Sequence, residues 1–167
     1  MKPVVVKEYL TAALFELLEI KPYGRISINE LVAKAGVCRS SFYRNYLTTD
    51  GIIDEYLRGV FCREHSLDAG NMEQSVKNIF SNLLEEKKRL VILGRQELLM
   101  KLPEYLYETT VSQIMSLNVL NNRYQPYFFA GAASSVITAW IRSGMEESAE
   151  EMARIFVHSL GGYMEFR

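Results

Sequence analysis

Residues 27–46 read SINELVAKAGVCRSSFYRNY, and this stretch constrains the fold more than any other. Ile28, Leu31, Val32 and Ala35 recur at i, i+3, i+4 and i+7, the stripe of one helix face. Ser27 and Glu30 have the S-x-x-E spacing of a capping box, which sets where that helix begins. Gly36 ends it, because glycine accepts the left-handed conformation that closes a helix. A second short helix is predicted over 39–46, with Phe42 and Tyr46 turned inward and a polar, basic face outward. Two short helices around a tight glycine turn are the frame of a helix-turn-helix. In that motif one helix braces and the next enters the DNA major groove.

The charge pattern agrees. A formal net charge of −1 over 167 residues gives by itself no sign of a nucleic-acid partner. Between Lys21 and Thr49, however, stand five basic residues, Lys21, Arg25, Lys34, Arg39 and Arg44, against the single acid Glu30. A basic patch on an otherwise acidic chain suits docking to DNA by one end. The competing reading of the same charges is an ordinary solvated face. Hydrophobic residues make up 49% and charged residues 23%, which supports a packed core and excludes global disorder.

Other classes fare poorly. Cys38 and Cys62 belong to no CxxC or Cys/His cluster, so no metal site is expected. His65 and His158 are far apart, without triad or metal spacing, and no GxGxxG or P-loop is present. The expectation is a non-enzyme with no cofactor. Val4 to Val6 is too short for the apolar core of a secretory signal. Residues 124–141 carry no charge and are long enough to span a membrane, but they include Gln125, Pro126, Ser134, Ser135 and Thr138. They read as a buried helix, with no membrane partner and a cytoplasmic location expected. Cys38, at the head of the second short helix beside Arg39, is either an inert small cap or a thiol of lowered pKa and a redox sensor.

Helical periodicity extends through the chain without sustained strand alternation, so the class is all-α. Leu10, Leu14, Leu17 and Leu18 mark a first helix ending near Lys21-Pro22. Thr48 reads as the N-cap of a longer helix with inner face Ile52, Ile53, Tyr56, Leu57, Val60 and Phe61. A break over 66–71 sets three parts: a helix-turn-helix domain at 1–47, a connecting helix at 48–66, and a helical dimerisation and effector domain at 67–167. In the last part, Val76, Ile79, Phe80, Leu83 and Leu84 form one stripe. Residues 90–102 suggest a second helix, and Pro103 opens a third running to about 117. Residues 118–125 read as a loop, and Pro126 starts the uncharged helix, which closes near Ser143-Gly144. Ser148 and Glu151 cap a last helix whose single face is Met152, Ile155, Phe156, Ser159, Leu160 and Tyr163.

The outer face of the second short helix holds Arg39, Ser40, Ser41, Tyr43, Arg44 and Asn45. Arginine can bond guanine O6 and N7 together, serines adapt, and a tyrosine hydroxyl reaches phosphate. Ser27 and Thr48, at predicted helix N-termini, complete the candidate DNA contacts. The plainer reading is a polar face that meets only water. The wording of the stretch adds to the pattern. Residues 26–53 closely resemble the N-terminal domain of TetR/AcrR-family transcriptional regulators, through "ISINELVAKAGVCRSSFYRNY" and the apolar helix start at Ile52-Ile53. The resemblance runs from Val5 to about Leu57. It implies an all-helical homodimer in which three N-terminal helices bind a double-stranded DNA operator, while a larger helical domain dimerises and usually binds a small molecule. By motif position it makes Arg39, Ser40, Tyr43 and Asn45 DNA contacts and Tyr46 core. The chain departs from that pattern in four places. Cys38 stands where Ser or Thr commonly caps the recognition helix, and Asn45 where His is common. Thr49 stands where a lysine is often found, and Gly51 where a glutamate is frequent. Weaker DNA binding and a looser fourth helix are the expected results.

The segment RYQPYFFAGAASSVITAWIRSGMEESAEEMARIF resembles a subgroup that includes regulators similar to dihydroxyacetone-kinase activators. In the family, the last two long helices build a four-helix bundle with a partner copy. Gly131, Ser134 and Thr138 are small enough for close approach, and Met152, Ile155, Phe156 and Leu160 offer apolar area, so these seven are the candidate dimer residues. Paired reading heads spaced about 34–36 Å apart also call for a dimer. Phe80, Tyr105, Tyr107, Met115, Phe128 and Trp140 are candidate lining for a small-molecule effector pocket, although aromatics at helical spacing are commonly plain core. The reading from sequence is therefore a dimeric repressor controlled by a small molecule or protein partner. The alternative is a helical co-regulator that binds other proteins and DNA weakly or not at all.

Overall fold

The computed structural model describes residues 3–62, 67–116 and 122–161, and all regular structure among them is helical. The N-terminal unit comprises α1 (Pro3–Ile20), α2 (Ile28–Lys34), α3 (Arg39–Asn45) and α4 (Asp50–Phe61). Beyond it lie α5 (Met72–Glu85), α6 (Lys87–Arg95), α7 (Leu102–Ser116), α8 (Gln125–Arg142) and α9 (Ala149–Gly161).

The expected leucines, Leu10, Leu14, Leu17 and Leu18, are buried, and α1 is the axle on which α2, α3, α4 and α6 pack. Ser27 Oγ accepts the Glu30 N–H at 3.2 Å, which starts α2. The Glu30 carboxylate pairs with Lys21 at 2.5 Å. Gly36 has φ +65°, and the Val37 N–H returns to the Val32 carbonyl at 3.0 Å, so the turn is the left-handed closure that only glycine adopts cheaply. Phe42 is fully buried and Tyr46 nearly so, which fixes which face of α3 points outward.

Thr48 is exposed and is not the cap of the fourth helix. Thr49 takes the N-cap position, and helix begins at Asp50. Thr49 makes no side-chain cap, because its hydroxyl is engaged by Tyr23, 2.7 Å away. Tyr23 also donates to Asp50 Oδ1 at 2.6 Å. The fourth helix is thus tied at its start without the lysine and glutamate whose absence suggested looseness. Gly51 has its own reason. A Cβ there would stand 3.2 Å from Tyr46 Cδ1, so the absent side chain makes room for the tyrosine ring.

In the C-terminal part, α7 packs along α8 and α5 along α9, while α4 reaches α7 and α6 touches α1 and α8. Phe80 meets Trp140 edge to face at 5.3 Å at the centre of this core. The helix expected over 90–102 is cut short. It ends at Arg95, and Glu97 turns left-handed at φ +58° with the Leu98 N–H bonded back to Leu93. This closure buries Leu99 and Leu102 on separate segments. The next helix starts at Leu102, one residue before Pro103. The uncharged helix buries Phe129, Ala133, Ile137 and Ile141, and no helix among the described residues is long and apolar enough to cross a membrane. The second capping box is complete: Ser148 N–H donates to Glu151 Oε2 at 2.9 Å, and Glu151 N–H to Ser148 Oγ at 3.2 Å. The inner face of α9 is Met152, Ala153, Phe156 and Val157, while Ile155 points outward. The Leu160 side chain, Tyr163 and Ser66 lie outside the described residues.

One amide joins the two parts. The Gln96 Nε2 donates to the Leu18 and Lys21 carbonyls at 3.0 and 3.3 Å, and its Oε1 accepts the Tyr23 N–H at 3.1 Å. The end of α6 therefore closes the open end of α1, whose last carbonyls lack partners within the helix.

Candidate nucleic-acid interface

The outward face of α3 presents Arg39, Ser40, Tyr43 and Arg44, all exposed, while Ser41 and Asn45 are half-buried. The exposed residues are held within the helix. Arg39 Nη2 donates to the Tyr43 hydroxyl at 3.2 Å and lies over its ring at 5.4 Å. Arg44 donates to the Ser40 carbonyl at 3.3 Å and to Ser41 Oγ at 3.2 Å. Asn45 Nδ2 donates to the Ser41 carbonyl at 2.7 Å, so its first role is to finish the helix. Ser27 is exposed at the start of α2; its oxygen serves the Glu30 N–H. Thr48 is exposed beyond the end of α3.

The local positive charge is smaller than the count over 21–49 suggested. Lys21 is paired with Glu30, and Lys34 meets Glu16 at 2.7 Å, an acid outside that window. Lys34 holds the Glu16 carboxyl below its usual range. Three arginines, Arg25, Arg39 and Arg44, remain without an acidic partner among the described residues, and all are exposed. Two of them are on α3.

Cys38 occupies the N-cap of α3 with extended backbone but gives no side-chain cap. Its sulfur lies 3.2 Å from Ser40 Oγ and 3.1 Å from Ser41 Oγ. Those hydroxyls, with the Ser41 N–H, lower the exposed thiol's pKa to about 6. Sequence reasoning missed Tyr23, which holds the start of α4 and so the frame behind α3. It is a single aromatic in a turn, without periodicity to flag it. Burial and the Asp50 carboxylate raise its pKa to about 12.

Of the residues singled out for dimerisation, Ser134 and Met152 are buried inside the chain, Gly131, Thr138 and Phe156 are half-buried, and Ile155 is exposed. Of the pocket candidates, Phe80 lines a cavity of about 100 Å³ bounded by α4, α5, α7, α8 and α9. Trp140 stands behind Phe80 in the core. Tyr105 is buried against α4, bonded to Asp54. Tyr107, Met115 and Phe128 are exposed. The wall of the cavity comes instead from residues not singled out, including Phe61, Val76, Leu106, Gln113 and Phe129.

The fold is all-helical among the described residues, with α2 and α3 set around the Gly36 turn as in a helix-turn-helix. Residues 70–162 match a TetR-class family model described as "Transcriptional regulator C-terminal region", over more than half of the chain. The chain belongs to the TetR family of transcriptional regulators. No curated protein matches it. The family match lies wholly beyond the helix-turn-helix.

Proposed function

We propose that the protein is a homodimeric DNA-binding repressor, cytoplasmic and without enzymatic activity, that places α3 in the major groove of an operator. The observation that carries this is the division of α3. Phe42 is fully buried, whereas Arg39, Ser40, Tyr43 and Arg44 are all exposed on a helix whose C-terminal end Asn45 braces. Arg39 and Arg44 suit guanine edges or phosphate, and Tyr43, Ser27 and Thr48 suit phosphate. Ser40, Ser41 and Asn45 complete the face.

Dimerisation through α8 and α9 is supported by exposed Ile155 and by open space around Gly131, where an added Cβ would meet nothing within 4 Å. Control by a small molecule is supported by the cavity, whose wall includes Val60 and Phe61 at the end of α4. A ligand there touches the same helix whose Gly51 lies against Tyr46, just after the reader helix. The division of the chain at 1–47, 48–66 and 67–167 belongs to this proposal, with α4 shared between reader and cavity.

A gel shift with the promoter region beside the protein's own gene tests the proposal. Retardation at two chains per site, weakening as salt rises, is the expected result. Absence of a shift at low salt favours the co-regulator reading instead.

A further inference from the structure

Arg25 is an exposed arginine that lies outside both helices of the helix-turn-helix. It ends the short 3-10 turn Tyr23–Arg25, between α1 and α2. The turn closes on itself: the Arg25 N–H donates to the Pro22 carbonyl and the Ile26 N–H to the Tyr23 carbonyl, both at 2.9 Å. Two distant elements hold it. Gln96, just past the end of α6, accepts the Tyr23 N–H at 3.1 Å. The Tyr23 hydroxyl lies 2.7 Å from Thr49 Oγ1 and donates to Asp50 Oδ1 at 2.6 Å, at the start of α4. The backbone that carries Arg25 is therefore fixed from both parts of the molecule.

The same bonds place the arginine. Ser27 follows Arg25 by two residues, at most about 7 Å of chain. Tyr23, two residues before it, touches Thr49, the neighbour of Thr48. Ser27 and Thr48 are the residues proposed to meet the DNA backbone, and the turn lies against the segments that carry both. Two acids of the flanking helices are engaged elsewhere, Glu30 by Lys21 and Asp50 by Tyr23. A guanidinium offers a planar fork of donors that matches a phosphate. A backbone fixed in advance loses little freedom when that contact forms.

We propose that Arg25 is a further DNA contact, holding one backbone phosphate beside those met by Ser27 and Thr48. It supplies affinity and no base preference, because a phosphate carries no sequence information. The assignment rests on the reading of the protein as a DNA-binding regulator.

Fluorescence anisotropy at several salt concentrations tests it, with wild type, Arg25→Gln and Arg25→Lys. The probes are a labelled duplex from the protein's own promoter and a scrambled duplex of equal length. Arg25→Gln is expected to flatten the slope of log affinity against log salt by about 0.9 for each bound chain, and Arg25→Lys to restore it. At any one salt concentration Arg25→Gln should weaken both duplexes by the same factor. Melting temperatures should match the wild type, since the turn is held by its backbone, Tyr23 and Gln96. A wild-type slope in Arg25→Gln overturns the proposal. So does a slope loss that Arg25→Lys leaves in place, or a weakening confined to the promoter duplex, which would make Arg25 a base reader. The two readings fail separately. If the wild type binds and Arg25→Gln matches it, this contact falls and DNA binding stands; if the wild type binds neither duplex at low salt, both fall.

Discussion

The Tyr105 hydroxyl donates to Asp54 Oδ1 at 2.5 Å, joining α7 of the C-terminal part to the helix that follows the reader. Lys101 reaches the same oxygen at 2.8 Å, and Arg58 lies over the Tyr105 ring at 5.2 Å. Tyr105 is adjacent to Leu106, which lines the cavity, so the contact sits between cavity and reader. Lys101 first, and Tyr105 second, hold the Asp54 carboxyl below its usual range. Tyr105→Phe is expected to cost about 1–2 kcal/mol in urea unfolding at pH 7. A lowered carboxylate contributes stability above its unfolded pKa, near 4, and loses it as pH falls through the folded value. The cost of the substitution therefore shrinks at pH 3. An equal cost at both pH values would contradict the role given to Asp54.

Tyr23 predicts an alkaline transition. Its phenol, ordinarily near 10, is raised to about 12, first by burial and then by Asp50. The fold thus favours the neutral form. That stability is complete below pH 10 and is lost as pH rises through 10 to 12. Melting temperature followed from pH 9 to 12 should fall more steeply for the wild type than for Tyr23→Phe.

Cys38 should be the reactive thiol of the chain. With the hydroxyls of Ser40 and Ser41 lowering its pKa to about 6, its alkylation rate by iodoacetamide should reach half-maximum near that pH, read on the Cys38 peptide by mass spectrometry. A midpoint near 8.5, the value of an ordinary free thiol, would contradict the geometry. Cys38→Ser should raise Tm, since serine caps the helix that cysteine leaves uncapped.

Position 49 separates charge from framework. Thr49→Lys should steepen the slope of log affinity against log salt by about one unit by adding one phosphate contact. It should also lower stability slightly, because the Thr49 hydroxyl is bonded to Tyr23. Titrations at several salt concentrations measure the first effect and thermal melts the second.

Much of this was readable in advance for a physical reason. Local signals with fixed spacing, such as Ser27 with Glu30, Gly36, and Ser148 with Glu151, specify structure within one helical turn, and all three stand where the spacing put them. The buried stripe of α1 and the inward Phe42 follow from periodicity in the same way. Contacts between distant segments were not readable. Tyr23 on Asp50, Gln96 on Leu18 and Tyr105 on Asp54 each join residues with no shared period. Tyr46, expected as core, and Gly51, a departure from the family pattern, are one feature in the fold, because the ring needs the space the missing Cβ leaves. The left-handed turn at Glu97 escaped for a similar reason, as nothing in its residue type asks for it. In the cavity, aromatic character alone could not tell lining from core: Phe80 lines it, Trp140 stands behind, and Phe128 is exposed.

The central claim is that α3 reads DNA through Arg39. Fluorescence anisotropy with a labelled duplex from the protein's own promoter, for wild type and Arg39→Ala, tests it most directly. Arg39 is exposed and, among the described residues, its partner is Tyr43 on its own helix, so the substitution should leave folding intact by circular dichroism. The expected result is salt-sensitive binding by the wild type and a loss of roughly 5- to 100-fold for Arg39→Ala, the worth of one good base contact. Equal affinity of the two proteins, or no binding by either at low salt, would contradict it.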